Sequence, residues 1–310
     1  MAVIDLRILN RQAKYYNLHV QTGLFGHLRL SADALPTQPS CRARSGKCMP
    51  PPVLFLQDGC PATALERKGH DVNIALIFAG GTGQRMNSKT RPKQFLELHG
   101  KPIIIYTIEA FERHPRIDGI VIACLEPWIP YLQNLLKRFG ITKVSAIVPG
   151  GANGQESIYN GLAKASELYP SESVVLVHDG VRPLVNGETI SACINKTLEA
   201  GSAITVVPAI ETVVRTEDGV ITEIIDRHTC SMARAPQAFI LGELVAAHEQ
   251  AKAEGLDDFI DSASLMRHYG HPLHVVEGTP ENIKITTPSD FYEFRALVDA
   301  LEDSQIFGID

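Results

Sequence analysis

Residues 73–86 read NIALIFAGGTGQRM, and this stretch decides the fold. Its first part, Asn73–Ala79, is almost continuously apolar, which is typical of a strand that is buried on both faces of a parallel sheet. The glycines that follow let backbone N–H groups approach an anion closely. The stretch therefore predicts a first strand that runs directly into a phosphate-binding loop.

Two cations lie close to this loop in sequence. Arg85 is part of it, and Lys93 follows in the tripeptide Pro92-Lys93-Gln94. A dinucleotide-binding GxGxxG loop is excluded because no third glycine follows, and a Walker A loop is excluded because no Gly-Lys-Ser/Thr closes it. A plain tight turn remains the alternative. The residue types favour a triphosphate site.

Beyond this loop, short apolar runs alternate with amphipathic segments. The predicted strands are Asn73–Ala79, Gly119–Cys124, Lys143–Val148, Ser173–His178 and Ala203–Pro208. The predicted helices are Pro102–Arg113, Trp128–Phe139, Gly154–Leu168, Gly187–Ala200, Leu241–Ala253, Asp261–His268 and a last helix from Pro288, capped by Thr287. A short strand is expected near Leu273–Val276, and Asn153 with Glu156 resembles a capping box. This alternation predicts an α/β fold, with a mainly parallel, twisted sheet and helices on both faces.

Residues 209–227 depart from the alternation. Two β-branched runs flank Asp218-Gly219, which is a strong hairpin signal. An isolated hairpin is only marginally stable in water. We therefore expect residues 209–227 to form a projecting arm that packs on a second copy of the chain.

The amino-acid composition argues against several classes of protein. The 310 residues carry a formal net charge of −6, which argues against a general nucleic-acid binder. No apolar run approaches the length of a membrane span, and the N-terminus lacks the pattern of a signal peptide. The six cysteines show no paired ligand spacing, so a structural zinc site is not expected. We expect a cytoplasmic protein that binds neither nucleic acid nor membrane.

The chain divides near residue 71. Residues 1–71 carry nine Lys/Arg against five Asp/Glu and include the Pro-rich stretch PTQPSCRARSGKCMPPP at 36–52. This composition is typical of an unpacked extension, and a basic interaction tail is the alternative. The folded domain is expected at 72–303, with a tail at 304–310.

Five ordered motifs resemble one enzyme family. They are the glycine loop with Pro92-Lys93-Gln94, His178-Asp179-Gly180-Val181-Arg182-Pro183, Asp226-Arg227, Pro236-Gln237 and Asn282-Ile283-Lys284-Ile285-Thr286. Together they are similar to the cytidylyltransferases that make CDP-methylerythritol and CDP-ribitol, and the resemblance covers about residues 73–301. It implies a Rossmann-like nucleotidyltransferase fold and transfer of CMP from CTP to a polyol phosphate, with release of pyrophosphate.

The resemblance also assigns roles. Arg85, Lys93 and Lys284 are expected to act on the phosphates of CTP, and Asp179 is expected to hold Mg²⁺. The nucleotide is expected to contact seven residues: Ala79, Gly80, Gly81, Thr82, Gly83, Gly151 and Ser157. His178 is interpreted as structural, because phosphoryl transfer of this kind needs no histidine base.

The acceptor is expected to bind through Thr212, Arg227 and Arg182. In the family, the hairpin arm crosses to the partner subunit, so the resemblance implies a homodimer in which Thr212 and Arg227 serve the neighbouring site. Arg182 could equally brace its own turn. A guanidinium such as that of Arg227 suits bidentate phosphate binding.

Two positions depart from the family pattern: Gly154 stands where an arginine is usual, and Ala235 replaces a threonine. Neither change removes a residue assigned to the phosphates. Ribitol 5-phosphate, as in teichoic-acid synthesis, is the favoured acceptor, because the segment 101–151 with Trp128-Ile129 looks closer to that branch. The alternatives are 2-C-methyl-D-erythritol 4-phosphate, as in isoprenoid synthesis, and a catalytically inactive dimeric binding module.

Overall fold

The computed structural model describes residues 19–22, 28–31, 72–81 and 91–307. Residues 1–65 and 66–310 form two separate units. In the first unit, β1 (His19–Thr22) pairs antiparallel with β2 (Leu28–Ser31). The rest of the predicted extension lies outside the described residues, as does most of the glycine loop, at 82–90.

A seven-stranded sheet forms the centre of the second unit, in the order β13-β9-β12-β8-β3-β6-β7. Its strands are β3 (Asn73–Ala79), β6 (Gly119–Cys124), β7 (Val144–Pro149), β8 (Val174–Asp179), β9 (Ser202–Pro208), β12 (Ser231–Ile240) and β13 (Val275–Glu277). Two further pairs are β4 (Glu97–Leu98) with β5 (Lys101–Pro102), and β10 (Val213–Glu217) with β11 (Val220–Ile225). All neighbours in the large sheet are parallel except β12, which runs antiparallel to β8 and β9.

The α-helices connect these strands. They are α1 (Ile103–Glu112), α2 (Ile129–Arg138), α3 (Gly154–Leu168), α4 (Gly187–Ala200), α5 (Leu241–Glu254), α6 (Ser262–His268) and α7 (Pro288–Phe307). Their bounds confirm the predicted helices to within one or two residues. Thr287 caps α7, since its Oγ1 accepts a hydrogen bond from the Asp290 N–H. This helix extends to Phe307, into the segment predicted as a tail.

The side chains of the strands point alternately to the two faces of the sheet, and an apolar core lies on each face. In β3, Ala75 and Ile77 pack in one apolar cluster with residues of α1, α2 and α4. Ile74 and Leu76 pack in a second cluster with residues of α3, α5 and α6. Successive side chains of a strand point to opposite faces. The sheet is therefore covered on both faces, as the apolar strands predicted.

Strand β12 was missed by the sequence analysis. Its first three residues are exposed, and Pro236, which has no N–H to donate, interrupts the run. The capping-box prediction was half wrong. The Asn153 side chain does accept from the Glu156 N–H, but the Glu156 carboxylate accepts from the N–H of Ala152 instead of Asn153.

The hairpin at 209–227 is confirmed. Strands β10 and β11 pair with each other around Asp218 and Gly219, whose φ angles are +50° and +80°. These angles suit a tight hairpin turn, for which Asp-Gly is favoured. The arm exposes apolar side chains, among them Val220, Ile221 and Ile224, with 57–71% of their surface accessible.

A small aromatic cluster supports the turn that carries Lys93. Phe95 stacks on Trp128, with ring centroids 4.9 Å apart, and Tyr131 packs edge-on against both. Phe95 belongs to the 3₁₀ turn Lys93–Phe95 and is fully buried. The position of this turn is therefore fixed by stacking. None of the described helices combines the length and the apolar character that crossing a bilayer demands.

Candidate active site

Most of the predicted site residues that the structure describes meet at the carboxyl ends of the parallel strands. β3 ends at Ala79 and β8 at Asp179, and these two strands are neighbours in the sheet. Backbone hydrogen bonds continue past the strand ends, from Gly180 N–H to Phe78 O (2.9 Å) and from Gly150 N–H to Cys124 O (2.7 Å). Ligands of open α/β sheets bind at this edge.

Gln94 anchors the start of the glycine loop. Its side chain is buried, and Nε2 donates to the carbonyl oxygens of Ala79 (2.7 Å) and Gly81 (3.3 Å). The sequence analysis noted Gln94 only as a neighbour of Lys93. Because the bond joins segments fifteen residues apart, no local pattern signals it. Gln94 fixes the backbone through which the loop would approach a phosphate.

Ser157 lies against two glycine-rich segments, those of Gly80 and Gly151. Its hydroxyl donates to Asn153 O (2.7 Å) and accepts from the Gly151 N–H (3.0 Å). A Cβ added to Gly80 would lie 2.7 Å from Ser157 Oγ. Glycine is therefore required at position 80 by close packing, and Gly80, Gly151 and Ser157 form one unit.

Asp179, at the end of β8, lines the same cavity as Gly80, Gly151 and Ser157, and among the described residues that line it Asp179 is the only acidic one. Its Oδ1 lies 2.6 Å from Lys284 Nζ, and its Oδ2 accepts from Arg182 Nε at 2.8 Å. Burial alone would raise the pKa of the Asp179 carboxyl, but the charges of Lys284 and Arg182 outweigh it and hold that pKa below its ordinary value. Asp179 is thus a carboxylate at neutral pH.

His178 is structural, in agreement with the interpretation from sequence. It is fully buried, and its Nε2 lies 3.0 Å from the backbone carbonyl oxygen of Arg182. Burial lowers the pKa of His178 to about 4. A neutral ring that donates to this carbonyl steadies the turn between Asp179 and Arg182.

Two adjoining cavities, each of about 310 Å³, meet at Asp179. The loop cavity is lined by glycine-loop and helix-start residues, including Ala79, Gly80, Gly81, Lys93, Gly151 and Ser157. The arginine cavity is lined by Arg182, Arg234, Ala235, Gln237, His248 and Asp261, among others. Four residues line both: Phe78, Gly154, Asp179 and Lys284. Asp179 and Lys284 therefore lie where two ligands would meet.

Arg234 and Asn282 are site residues that the sequence analysis did not single out. Arg234 Nη1 donates to the carbonyl oxygens of Pro280 and Asn282, both at 2.8 Å. The buried Asn282 side chain donates to Ala235 O at 2.7 Å. Position 282 was quoted only as part of a motif. Arg234 lies in the missed strand β12, so nothing in the sequence analysis placed it near Asp179.

The other predicted residues divide into two groups. Arg85, Thr82 and Gly83 lie outside the described residues. Thr212 and Arg227 are described but exposed, and neither lines the two cavities of its own chain. Arg227 Nη1 donates to Ile210 O at 2.8 Å, across the base of the arm.

The donor chemistry fits a magnesium ion at Asp179. Mg²⁺ is commonly held by one or two carboxylates together with substrate phosphates and water. Asp179 is ionised and faces both cavities. Within residues 72–81 and 91–303, no three acidic, histidine or cysteine side chains gather as a metal cluster. Asp179 is therefore the carboxylate that would hold the ion, together with substrate phosphates and water.

Comparison with known proteins identifies the family. The family described as 2-C-methyl-D-erythritol 4-phosphate cytidylyltransferase matches residues 73–300. The chain belongs to this family, and it is a CTP-dependent nucleotidyltransferase by class. Solved structures agree in fold. A 4-diphosphocytidyl-2C-methyl-D-erythritol synthase covers 74% of this chain and 99% of its own, with 29% identity and a TM-score of 0.61.

The names of the curated relatives specify two different acceptors. The ribitol-5-phosphate cytidylyltransferase of Streptococcus agalactiae serotype III (strain NEM316) is 51% identical over 77% of this chain and 100% of its own length. The protein of the same name from Vibrio parahaemolyticus serotype O3:K6 is 50% identical over 76% of this chain and 100% of its own. The 2-C-methyl-D-erythritol 4-phosphate cytidylyltransferase of Geobacter metallireducens is 40% identical over 73% of this chain and 97% of its own.

Proposed function

We propose that the chain transfers CMP from CTP to ribitol 5-phosphate, forming CDP-ribitol and pyrophosphate. The observation that carries this proposal is the meeting of two cavities at Asp179 and Lys284. A transferase with two phosphorylated substrates needs two adjoining subsites that share the groups acting at the reacting phosphorus. The identity of 51% and 50% to the ribitol-5-phosphate enzymes of Streptococcus agalactiae and Vibrio parahaemolyticus, against 40% to the methylerythritol phosphate enzyme of Geobacter metallireducens, favours ribitol 5-phosphate.

CTP would occupy the loop cavity. Backbone N–H groups near Gly80 and Gly81 would face the phosphates, with Arg85, Thr82 and Gly83 completing the loop. Lys93, on its stacked turn, would neutralise charge on the triphosphate. The small residues of the loop cavity, with Ser157, leave room for the cytosine ring close to the backbone. Preorganised charges of this kind account for much of the rate in phosphoryl transfer.

The acceptor would occupy the arginine cavity. Its phosphate would lie beside Arg182, and Thr212 and Arg227 from the arm of a second copy would close the cavity. A phosphate monoester has a second pKa near 6, so its dianion is the main form at neutral pH. The nucleophile therefore needs no general base, which is consistent with the structural role of His178.

Chemistry would take place between the cavities. An oxygen of the acceptor phosphate attacks the α-phosphorus of CTP, and the bond from that phosphorus to the bridging oxygen of pyrophosphate breaks. Lys284 would neutralise charge that gathers on the α-phosphate. Asp179 would hold Mg²⁺, which, when bound, neutralises phosphate oxygens. Lys284 and Arg182 supply the counter-charges of Asp179.

The test is pyrophosphate release. Purified protein is incubated with CTP and Mg²⁺ and either ribitol 5-phosphate, 2-C-methyl-D-erythritol 4-phosphate or no acceptor. We expect release that depends on ribitol 5-phosphate, reduced about 100-fold or more in Lys93→Ala and in Arg85→Ala. Lys164→Ala is the matched control, because Lys164 forms a surface ion pair with Glu167.

The other outcomes are informative. Pyrophosphate release with methylerythritol phosphate and not with ribitol 5-phosphate would show that methylerythritol phosphate is the acceptor. The reaction would still be a transfer of CMP from CTP. No release with either acceptor, from protein that binds CTP, would favour a catalytically inactive dimeric binding module.

A further inference from the structure

Arg234 is a cation that none of the roles above uses. Its guanidinium is half-buried on the wall of the arginine cavity. Among the described residues, the hydrogen-bond partners of Arg234 are the carbonyl oxygens of Pro280 and Asn282, and both accept from Nη1. A guanidinium carries five N–H donors in a planar fork. The remaining edge of Arg234 is therefore available to a ligand in the cavity.

Arg182 lies beside Arg234. The Nη1 atoms of both residues donate to the same carbonyl oxygen, that of Asn282, at 2.9 and 2.8 Å. The pKa of Arg234 is lowered, first by burial and then by the charge of Arg182, against a smaller opposing effect of Glu293 and Glu281. Two guanidinium groups are thus held together although they repel each other.

The two cations differ in how they are neutralised. Arg182 forms an ion pair with Asp179 at 2.8 Å. For Arg234 the structure gives only carbonyl partners and no ion pair with any carboxylate among the described residues. A cation that lacks an ion pair among the described residues and lies beside a second cation raises the electrostatic energy of the cavity, and an anion that contacts both arginines would lower that energy.

We infer that Arg234 is a second phosphate-binding residue of the acceptor subsite, where it binds a phosphate monoester dianion together with Arg182. This inference rests on the proposed function. A dianion that must approach the triphosphate needs more positive charge than Arg182 alone supplies, since Arg182 is already shared with Asp179. A fork of N–H donors matches the geometry of phosphate oxygens.

Asn282 keeps the pair in place. Its backbone carbonyl holds both Nη1 atoms, and its side chain holds the carbonyl oxygen of Ala235, the residue after Arg234. It is a positioning residue, because it fixes the arginines through hydrogen bonds of its own. The pair is therefore preorganised before any ligand binds, which lowers the entropic cost of binding.

The experiment compares Arg234→Gln and Arg234→Lys with the wild type. In Arg234→Gln we expect the KM for ribitol 5-phosphate to rise about ten- to a hundredfold, the usual effect of losing a charged hydrogen-bond partner. The KM for CTP should change by less than about twofold, because the loop cavity does not include Arg234. Arg234→Lys should recover part of the loss by restoring the charge. Arg116→Gln is the matched control, since Arg116 contacts Asn195 and Asn73 at the opposite edge of the sheet.

A purely structural role predicts a different result. If Arg234 only braced the Pro280 and Asn282 carbonyls, Arg234→Gln would lower the melting temperature and raise both KM values, and this outcome would overturn the inference. An unchanged KM for the acceptor would also overturn it.

Direct binding separates this inference from the proposed function. Titration of the wild type with inorganic phosphate in a calorimeter requires no turnover. We expect the affinity for phosphate to fall at least about tenfold in Arg234→Gln and to be unchanged in Arg116→Gln. If no polyol phosphate supports pyrophosphate release, the proposed function fails, while this titration still supports or overturns the role of Arg234.

Discussion

Lys284 and Asp179 form an ion pair of 2.6 Å whose two partners differ in exposure: the carboxylate side chain is 8% accessible and the lysine side chain 41%. Asp179 ends a central strand, whereas Lys284 lies in the segment between β13 and α7. The pair joins these distant parts of the chain where the two cavities meet. Lys284 can therefore reach a ligand while the carboxylate stays fixed.

The first prediction concerns this carboxylate. Asp179→Asn should raise the Mg²⁺ concentration needed for half-maximal activity by about tenfold or more, because an amide oxygen carries no net charge to offset the cation. The measurement is a Mg²⁺ titration of pyrophosphate release, with Asp299→Asn as the surface control. The same titration curve in Asp179→Asn and the wild type would place the metal elsewhere.

A second prediction uses two neighbouring glycines. An alanine Cβ at position 80 would meet Ser157 Oγ at 2.7 Å, whereas one at position 81 would have nothing within 4 Å. Gly80→Ala should displace the Ser157 hydroxyl from its two hydrogen bonds and raise the KM for CTP about tenfold. Gly81→Ala should leave the two Ser157 hydrogen bonds intact and raise the KM for CTP less than Gly80→Ala does. Equal effects of the two substitutions would show that close packing at Ser157 does not shape the nucleotide subsite.

Helix α3 offers a third test. Gly154 begins this helix, and a Cβ there would meet nothing within 4 Å. Gly154→Ala should raise the free energy of unfolding by about 0.4–1 kcal/mol, since alanine has less conformational freedom in the unfolded chain. Gly161→Ala, in the same helix, should destabilise, because its Cβ would clash with the buried Leu76 side chain. Thermal melting distinguishes the two, and destabilisation by both would indicate that the space at Gly154 is needed.

The arm leads to a fourth prediction, which concerns a shared site. Arg227→Ala should raise the KM for the acceptor and leave that for CTP nearly unchanged. If Arg227 serves the neighbouring copy, mixing Arg227→Ala with inactive Lys93→Ala protein should restore part of the activity, because one site of each mixed dimer then keeps both residues. No recovery after demonstrated subunit exchange would assign Arg227 to its own chain or to no site.

The fifth prediction concerns acid stability. Burial lowers the pKa of His178 and of His248 to about 4. Between pH 6.5 and 4 the unfolded chain binds protons that the folded chain does not, so stability is full above pH 6.5 and falls as the pH is lowered. Each histidine should contribute a loss of about 2 kcal/mol between pH 6.5 and 5.

His248→Phe isolates one of these contributions. The His248 ring is buried and its Nε2 has no hydrogen-bond partner among the described residues, so an apolar ring of similar shape should be tolerated. The free energy of unfolding, measured with urea at several pH values, should depend less steeply on pH in this variant. The difference from the wild type should equal the contribution of one histidine. A variant that follows the wild-type curve would show that His248 takes up its proton without unfolding.

The strands and helices were largely predictable because burial imposes a period on the sequence. Asn73–Ala79, Gly154–Leu168 and Gly187–Ala200 have the predicted bounds. Strand β12 was not predictable in this way, because its outer end is solvent-exposed and Pro236 masks its inner end. Pairing with β8 and β9 makes it a strand, and pairing partners are not visible in a local pattern.

The residues of the candidate site also fall into two groups, those that the sequence predicted and those that it did not. Lys93, Asp179 and Lys284 were found because they follow or belong to motifs, and all three line the loop cavity. Gln94 and Arg234 were not found, because each acts through contacts with residues distant in sequence. The folded chain is needed to bring those partners together.

The stacking of Trp128 on Phe95 gives the protein a built-in optical reporter. Trp128 is the only tryptophan in the chain, so its emission is free of overlap from other indoles. Phe95 is two residues from Lys93, on the turn whose Lys93 lines the loop cavity. A ligand that shifted this turn would change the ring contact and with it the emission spectrum, so the proposed binding of CTP can be tested in solution without a label.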